Sequence, residues 1–459
     1  MSSTVAQKPK RVRPLTFRIQ HINQNRTNEE VKDCMEKALA NDGKEAKDIS
    51  IELTFASDTK DSSRRVCCVT FHNKSKNAAA TSQPAPPHPS LFDQLNYLLP
   101  TDHLMVDLRT GEEWESSYDY GSEVDEESEF MVTIDKGFRG LTPLYEPTDP
   151  KTVKANVIAV MGLTPHPYGV WQGERKDHMW LRHSFKHSEG LKDCRSLIFG
   201  YNGDLWVEAL YKKEDFVNDL IDTFTKFTAL HPNVTQAPLF QVLQAMTNRY
   251  PHTQEPIIFV GHSYGGLLIT DLLRKSFSRH NDAQAYRVYQ VTRGIFFFGT
   301  PHRGMFIDDL TKIIKDRRTL EITEQLEQKD LYYEGIFTED QKDFIRVVRE
   351  GDIKIYSFVE KELTNKLHMP EGGSSPIQST ERKEQVSSAS ASLSIFGLEK
   401  EHRANGKNHR NIVKFDSRYD ETFKATEDFM VDCLKSMKEV EPLAGHGIAA
   451  TPQAAALSE

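Results

Sequence analysis

The chain has 459 residues, 38% hydrophobic and 27% charged, which leaves room for two or three domains, each with its own core. Its formal net charge of -9 gives no general attraction to nucleic acid or an anionic membrane, and no run approaches the ~18 consecutive apolar residues of a spanning helix. The five cysteines are odd in number and form no C-x-x-C, which argues against a disulfide framework or zinc site and points to a reducing, intracellular, cytoplasmic setting.

Residues 1–13 are basic with no apolar run behind them, so they read as a disordered tail rather than a secretory signal. Leu15–Ile22 alternates as a strand. Thr27 followed by Glu30 is a capping box for a helix carrying Val31, Cys34, Met35, Ala38 and Leu39. Ile49–Phe55 and Val66–Phe71 read as strands, Leu91–Leu99 as a short helix and Phe130–Ile134 as a last strand. The order β-α-β-β-α-β predicts a small ferredoxin-like lobe over 14–136. It resembles a degenerate RNA-recognition-motif domain. The outward positions that stack bases in such domains fall here on Arg18, Val66 and Cys68, none of them aromatic, so no nucleic-acid partner is expected. A structural role, or a protein partner held through this lobe, is expected instead. Residues 76–89, rich in Ala, Ser and Pro, read as a flexible linker, and the acidic run 112–129 as a solvated insert.

From residue 137 to about 440 the pattern changes to strands alternating with helices. Apolar strands are expected at Val157–Val160, Leu197–Phe199, Ile257–Val260, Ile295–Phe298 and Ile353–Phe358, with helices at Phe216–Leu230, Leu239–Arg249, Leu267–Arg279 and Asp420–Lys438. This predicts an α/β class with a doubly wound, mostly parallel sheet, whose strand C-terminal ends share one edge. Residues 371–394, rich in Ser and Gly, read as a mobile loop, no clear strand shows between Leu367 and Lys407, and 441–459 reads as a second disordered tail. Residues 302–340 read as a solvated helix pair, with an amphipathic lid touching a membrane periphery as the rival reading.

Within this half, Gly261-His262-Ser263-Tyr264-Gly265 sits between an apolar strand and a helix, the context of a nucleophile elbow. A serine there needs a base and an orienting acid, in the chain order Ser, acid, His. Ser263, Glu360 and His409 fit that order, with Asp352, Glu362 and Glu371 as rival acids and His262 and His302 as histidines of other roles. The His262 side chain is expected to point away from the site, and His302 to shape the pocket rim. The oxyanion donors are expected from the backbone N–H of Tyr264 and of Gly162 or Leu163. No cofactor and no metal is called for.

The segments VIAVMGLTPHPYGVW, MWLRHSF, SLIFGYN, PIIFVGHSYGGLL, TRGIFFFGTPHRG and NHRNIVKFDSR resemble, in order, the block motifs of the serine-active-site-containing (SERAC-like) lipase family, a branch of the α/β-hydrolases common in fungi. The likeness runs from about Phe138 to Phe423. Fungal members often carry an N-terminal lobe ending in a segment like Gly137–Pro147. The resemblance implies Ser263 as nucleophile and His409 as base, with Glu360 on the glutamate that follows the late strand. Met161 stands where many relatives have His, and Asn408 where Asp commonly precedes the base. The expected function is therefore a serine ester hydrolase acting on a small-molecule acyl ester or lipid. The alternative is a non-catalytic interaction or signalling module on the same scaffold.

Overall fold

The computed structural model describes residues 15–40, 49–59, 63–73, 103–109, 130–149, 152–163, 166–174, 178–201, 203, 213–230, 255–306, 338–368 and 377–437. Both expected tails, the segments 76–89 and 112–129, the helices expected over 91–99 and 239–249, Glu371 and most of 302–340 lie outside them.

The N-terminal lobe contains β1 (Leu15–Asn23), α1 (Asn28–Ala40), β2 (Ile49–Ser57), β3 (Arg64–Asn73), β4 (His103–Asp107) and β5 (Met131–Asp135). Its sheet has the order β2-β3-β1-β5-β4, antiparallel throughout. Strand β3 thus separates β1 from β2, the split arrangement of a β-α-β unit. Strand β4 is an added edge that the sequence pattern does not announce. Helix α1 starts on the expected box: Glu30 N–H donates to Thr27 Oγ1 at 3.1 Å, and Thr27 N–H donates to Glu30 Oε2 at 2.6 Å. One sheet face buries Phe17, Ile19, Cys67 and Val69 with Val31, Cys34 and Met35 of α1.

The other face corrects an expectation. Arg18, Val66 and Cys68 do not face solvent; all three are buried. Cys68 belongs to the core of the large domain. Arg18 donates to Thr142 Oγ1 at 2.7 Å and to Asp135 Oδ2 at 2.9 Å. Arg182, itself 1% exposed, reaches in from the large domain to Thr54 Oγ1, Thr70 Oγ1 and the Cys68 carbonyl. Glu146 joins the two parts at another point, accepting from the Ser57 N–H and hydroxyl through Oε2 and from Arg195 through Oε1. The face on which such lobes stack bases is therefore covered by the chain's own second half.

That half is built on β6 (Gly140–Tyr145), β7 (Ala155–Val160), β8 (Cys194–Gly200), β9 (Ile257–His262), β10 (Thr292–Phe298) and β11 (Lys354–Glu360). A hairpin follows, β12 (Thr364–His368) with β13 (Ile377–Lys383), and then β14 (Glu399–Ala404). The main sheet has the order β14-β11-β10-β9-β7-β8-β6. Only the β6–β8 pair in it is antiparallel. Every residue of β7, β8 and β9 is buried, which explains the apolar runs Val157–Val160, Leu197–Phe199 and Ile257–Val260 within them; the buried Arg195 of β8 is paired with Glu146. The described helices are α2 (Trp180–His183), α3 (Lys213–Leu230), α4 (Tyr264–Ser278), α5 (Ala283–Val291), α6 (Glu339–Glu350), α7 (Ser388–Ala391) and α8 (Glu421–Ser436). Helices α3, α4 and α5 pack on one another, and α4 also packs on β9. None of the described helices is long and apolar enough to cross a membrane.

Two more expectations change here. The segment Gly137–Pro147, which the resemblance places at the end of the N-terminal lobe of fungal members, supplies the antiparallel edge strand β6 of the main sheet. The stretch expected as a mobile loop over 371–394 contains, where described, β13 and α7, with Val386, Ala391 and Leu393 buried. The strand that the sequence left undefined is β14, which pairs in parallel with β11 from Ile355↔Glu399 to Glu360↔Ala404.

Candidate active site

The end of β9 and the start of α4 form a turn too tight for ordinary backbone. Ser263 sits at φ 53 and ψ -124, outside the regions open to a non-glycine residue at low cost. The close approach explains the glycines. A Cβ on Gly265 would lie 2.3 Å from the carbonyl oxygens of Val160 and Met161, and one on Gly261 would lie 2.6 Å from the Gly266 Cα. Ser263 N–H donates to the Phe298 carbonyl at 2.9 Å, tying the turn to β10.

Ser263, His409 and Glu360 come together at the C-terminal edge of the sheet, though 146 and 49 residues separate the successive contacts in sequence. His409 Nδ1 lies 2.9 Å from Glu360 Oε2, and His409 Nε2 lies 2.9 Å from Ser263 Oγ. A carboxylate only accepts, so Nδ1 carries the proton and Nε2 is left to accept from the serine hydroxyl. All three side chains are buried. Glu360 is fixed from its other side: the N–H groups of Gln385 and Val386 both donate to Oε1 at 3.0 Å. Of the rival acids, Asp352 is ion-paired to Lys354, and Glu362 is exposed with its backbone bonded to Lys407.

Asn408 does what a turn residue does. Its Oδ1 accepts from the N–H groups of Arg410 and Asn411, an Asx turn that presents His409 and needs no charge. Met161 takes part through its backbone. The Tyr201 hydroxyl, whose pKa burial raises, lies 2.8 Å from the Met161 carbonyl and 3.0 Å from the Gly162 carbonyl. In trans peptides this turns the N–H groups of Gly162 and Leu163 the opposite way. Gly162 lies against the serine, since a Cβ there would be 2.9 Å from Ser263 Cβ. Tyr201 was missed by sequence reasoning as a functional residue, although it lies in one of the segments that carry the resemblance.

His262 also differs from expectation. Rather than pointing away from the partners of the serine, its Nε2 donates to the backbone carbonyl of His409 at 2.9 Å, and the two rings lie 5.4 Å apart. Burial, then the neighbouring His409, pushes the His262 pKa down to about 3. Burial also pushes His302 down to about 3; its ring packs edge-on against Phe297 at 4.6 Å, and its backbone N–H donates to the Ser390 carbonyl of α7 at 2.9 Å. Both rings stay neutral in the folded state while their unfolded counterparts titrate near 6.5. Stability is thus complete above pH 6.5 and is lost as pH falls from there toward 3, at up to about 1.4 kcal/mol per pH unit per histidine. Urea unfolding midpoints measured from pH 7.5 to 5 should fall, and His302→Asn should flatten the decline. A pH-independent midpoint would contradict this.

Among the described residues no group of three or more His, Cys, Asp or Glu side chains is arranged to hold a metal. What the site can do is activate a hydroxyl: a strained serine, an imidazole in the accepting tautomer and a carboxylate behind it form one hydrogen-bonded line.

The fold is an α/β-hydrolase. Strand order, elbow and the meeting of the three side chains at one sheet edge carry that statement. Comparison with protein-family models finds no match. Among curated proteins, 108 residues are 26% identical to Protein SERAC1 of Danio rerio, covering 23% of this chain and 15% of that protein. A stretch of 106 residues is 28% identical to Protein SERAC1 of Bos taurus, with the same shares. The matched stretch therefore spans about 15% of those relatives' length. Among solved structures, the mature lipase BlEst2 of Bacillus licheniformis matches 64% of this chain and 97% of its own, at 11% identity and TM-score 0.34. An inhibited esterase B from Lactobacillus rhamnosis matches 74% of this chain and 90% of its own, at 11% identity and TM-score 0.29.

Proposed function

We propose that this α/β-hydrolase is a serine ester hydrolase acting on an acyl ester of a small molecule or lipid. The observation that carries the reading is the continuous line from Ser263 through His409 to Glu360, each step 2.9 Å. In this reading His409 Nε2 takes the Ser263 proton as Oγ attacks the ester carbonyl. The tetrahedral oxyanion is held by the N–H of Tyr264, at the start of α4, and by that of Leu163 or Gly162. Collapse expels the alcohol, which takes the proton from His409. Water, deprotonated by the same imidazole, then cleaves the acyl-enzyme and releases the acid. No cofactor enters any step. The ordered sequence motifs are in keeping with this chemistry.

The test is intact-mass analysis after exposure to a fluorophosphonate, which reacts only with an activated serine. One adduct on native protein, absent from Ser263→Ala and from denatured protein, is the expected result. No adduct on folded protein would sink the reading and leave the scaffold to a non-catalytic, partner-binding role.

A further inference from the structure

His409 sits in a loop, yet both polar groups of its own backbone are held by side chains. Its N–H donates to Thr364 Oγ1 at 3.1 Å, and its carbonyl accepts from His262 Nε2 at 2.9 Å. Thr364 is 1% exposed and is the first residue of β12. The hairpin that begins there returns through β13 to Gln385 and Val386, whose N–H groups grip Glu360. The excursion 364–386 thus starts at the base and ends at the acid. Its body is a two-stranded antiparallel ribbon apart from the main sheet. The sheet brings the two chain segments together, pairing Glu360 with Ala404 of β14 just before the His409 loop; the excursion adds hydrogen bonds to the Glu360 carboxylate and to the His409 N–H themselves.

We propose that the β12–β13 excursion, together with His262 at the end of β9, fixes the acid and the base in register beyond what the sheet pairing does, with Thr364 and His262 as positioning residues acting through the His409 backbone. The inference rests on the hydrolase reading for its kinetic consequence, but not for its geometry. Without the Thr364 oxygen, a buried N–H loses its acceptor and the imidazole is free to rotate off the Ser263–Glu360 line. A misplacement of that kind costs reaction rate far more than it costs folding.

The test compares full-length protein with Thr364→Val, which keeps the shape and removes the acceptor, and Thr364→Ser, which keeps it. Thr364→Val should lower the second-order rate of fluorophosphonate labelling about ten- to a hundredfold and move the midpoint of its pH profile, with little change in melting temperature. Thr364→Ser should restore both. A Thr364→Val protein that labels at the wild-type rate with the same midpoint overturns the proposal. If the wild type itself does not label, the hydrolase reading has failed, and the geometry is read instead from the downfield imidazole N–H resonance, assigned by its loss in His409→Asn. That resonance should shift or broaden in Thr364→Val and persist in Thr364→Ser; an unchanged signal in Thr364→Val overturns the proposal. Should Thr364→Val fail to fold, His262→Phe keeps a ring and removes the donor, and the same two measurements apply to it. A slower rate or a shifted resonance in His262→Phe supports the proposal; wild-type values for both overturn it.

Discussion

If the proposed hydrolysis holds, Ser263→Ala should lower the turnover of an acyl ester by about 10⁴- to 10⁶-fold and leave KM nearly unchanged, because the hydroxyl would contribute to the transition state and little to ground-state binding. His409→Ala has a comparable effect, and the double variant is scarcely worse than either single one, since the two residues act as a unit. Glu360→Gln is the informative companion. The amide keeps the size of the side chain and offers a donor where Nδ1–H needs an acceptor, so the wrong tautomer is favoured and turnover falls by about 10⁴-fold. The Gln385 and Val386 N–H groups, 3.0 Å from Oε1, can still hold the amide oxygen, so the fold should survive. Steady-state kinetics on a chromogenic ester, with melting temperatures for each variant, make the measurement. Turnover by Ser263→Ala equal to wild type would remove the serine from the chemistry altogether.

Arg182→Met should destabilise the junction between the N-terminal lobe and the large domain by about 3 kcal/mol. The guanidinium is buried and donates to Thr54 Oγ1 at 2.7 Å, Thr70 Oγ1 at 2.6 Å, the Cys68 carbonyl at 2.9 Å and the Glu52 carbonyl at 3.3 Å. Methionine fills part of the volume but satisfies none of these acceptors, and buried acceptors without donors are what make such a change costly. The loss should appear as an earlier transition in chemical denaturation, with hydrogen exchange rising first in β2 and β3. Thr70→Val, which removes a single acceptor, should cost roughly 1 kcal/mol at the same place. If Arg182→Met left the denaturation profile unchanged, the lobe would not depend on this junction.

The same junction bears on what the lobe does. Its strand order separates β1 from β2 by β3, and the sheet face opposite α1 carries Arg18, Val66 and Cys68. Sequence alternation alone places those residues on that face, and the structure agrees. What lies against the face was not legible, because Arg182 and Thr142 belong to segments more than 100 residues away. A protein partner of the lobe remains a proposal, and it would have to use surfaces other than this one.

The chain by itself determined the elements that are buried on both sides. Strands β7, β8 and β9 carry the apolar runs Val157–Val160, Leu197–Phe199 and Ile257–Val260 because no solvent face interrupts them, and the elbow is spelled out because close backbone approach admits only glycine at Gly261 and Gly265. The order of Ser263, Glu360 and His409 was legible for a related reason: each follows a strand or its loop at the same sheet edge. Strand β14 was not legible, since an edge strand with exposed Lys400, Glu401 and Arg403 and half-buried Glu399 and His402 has no apolar run to betray it. Nor were Tyr201, Thr364, His262 and the Gln385–Val386 amides legible as parts of the site. Each acts through one or two hydrogen bonds to groups 25 to 147 residues away, and so few long-range hydrogen bonds leave no periodicity in sequence. Local patterning therefore chose the sheet and the serine; the tertiary structure alone chose what holds the base and the acid against it, because those contacts exist only once β11, the hairpin and the His409 loop have met.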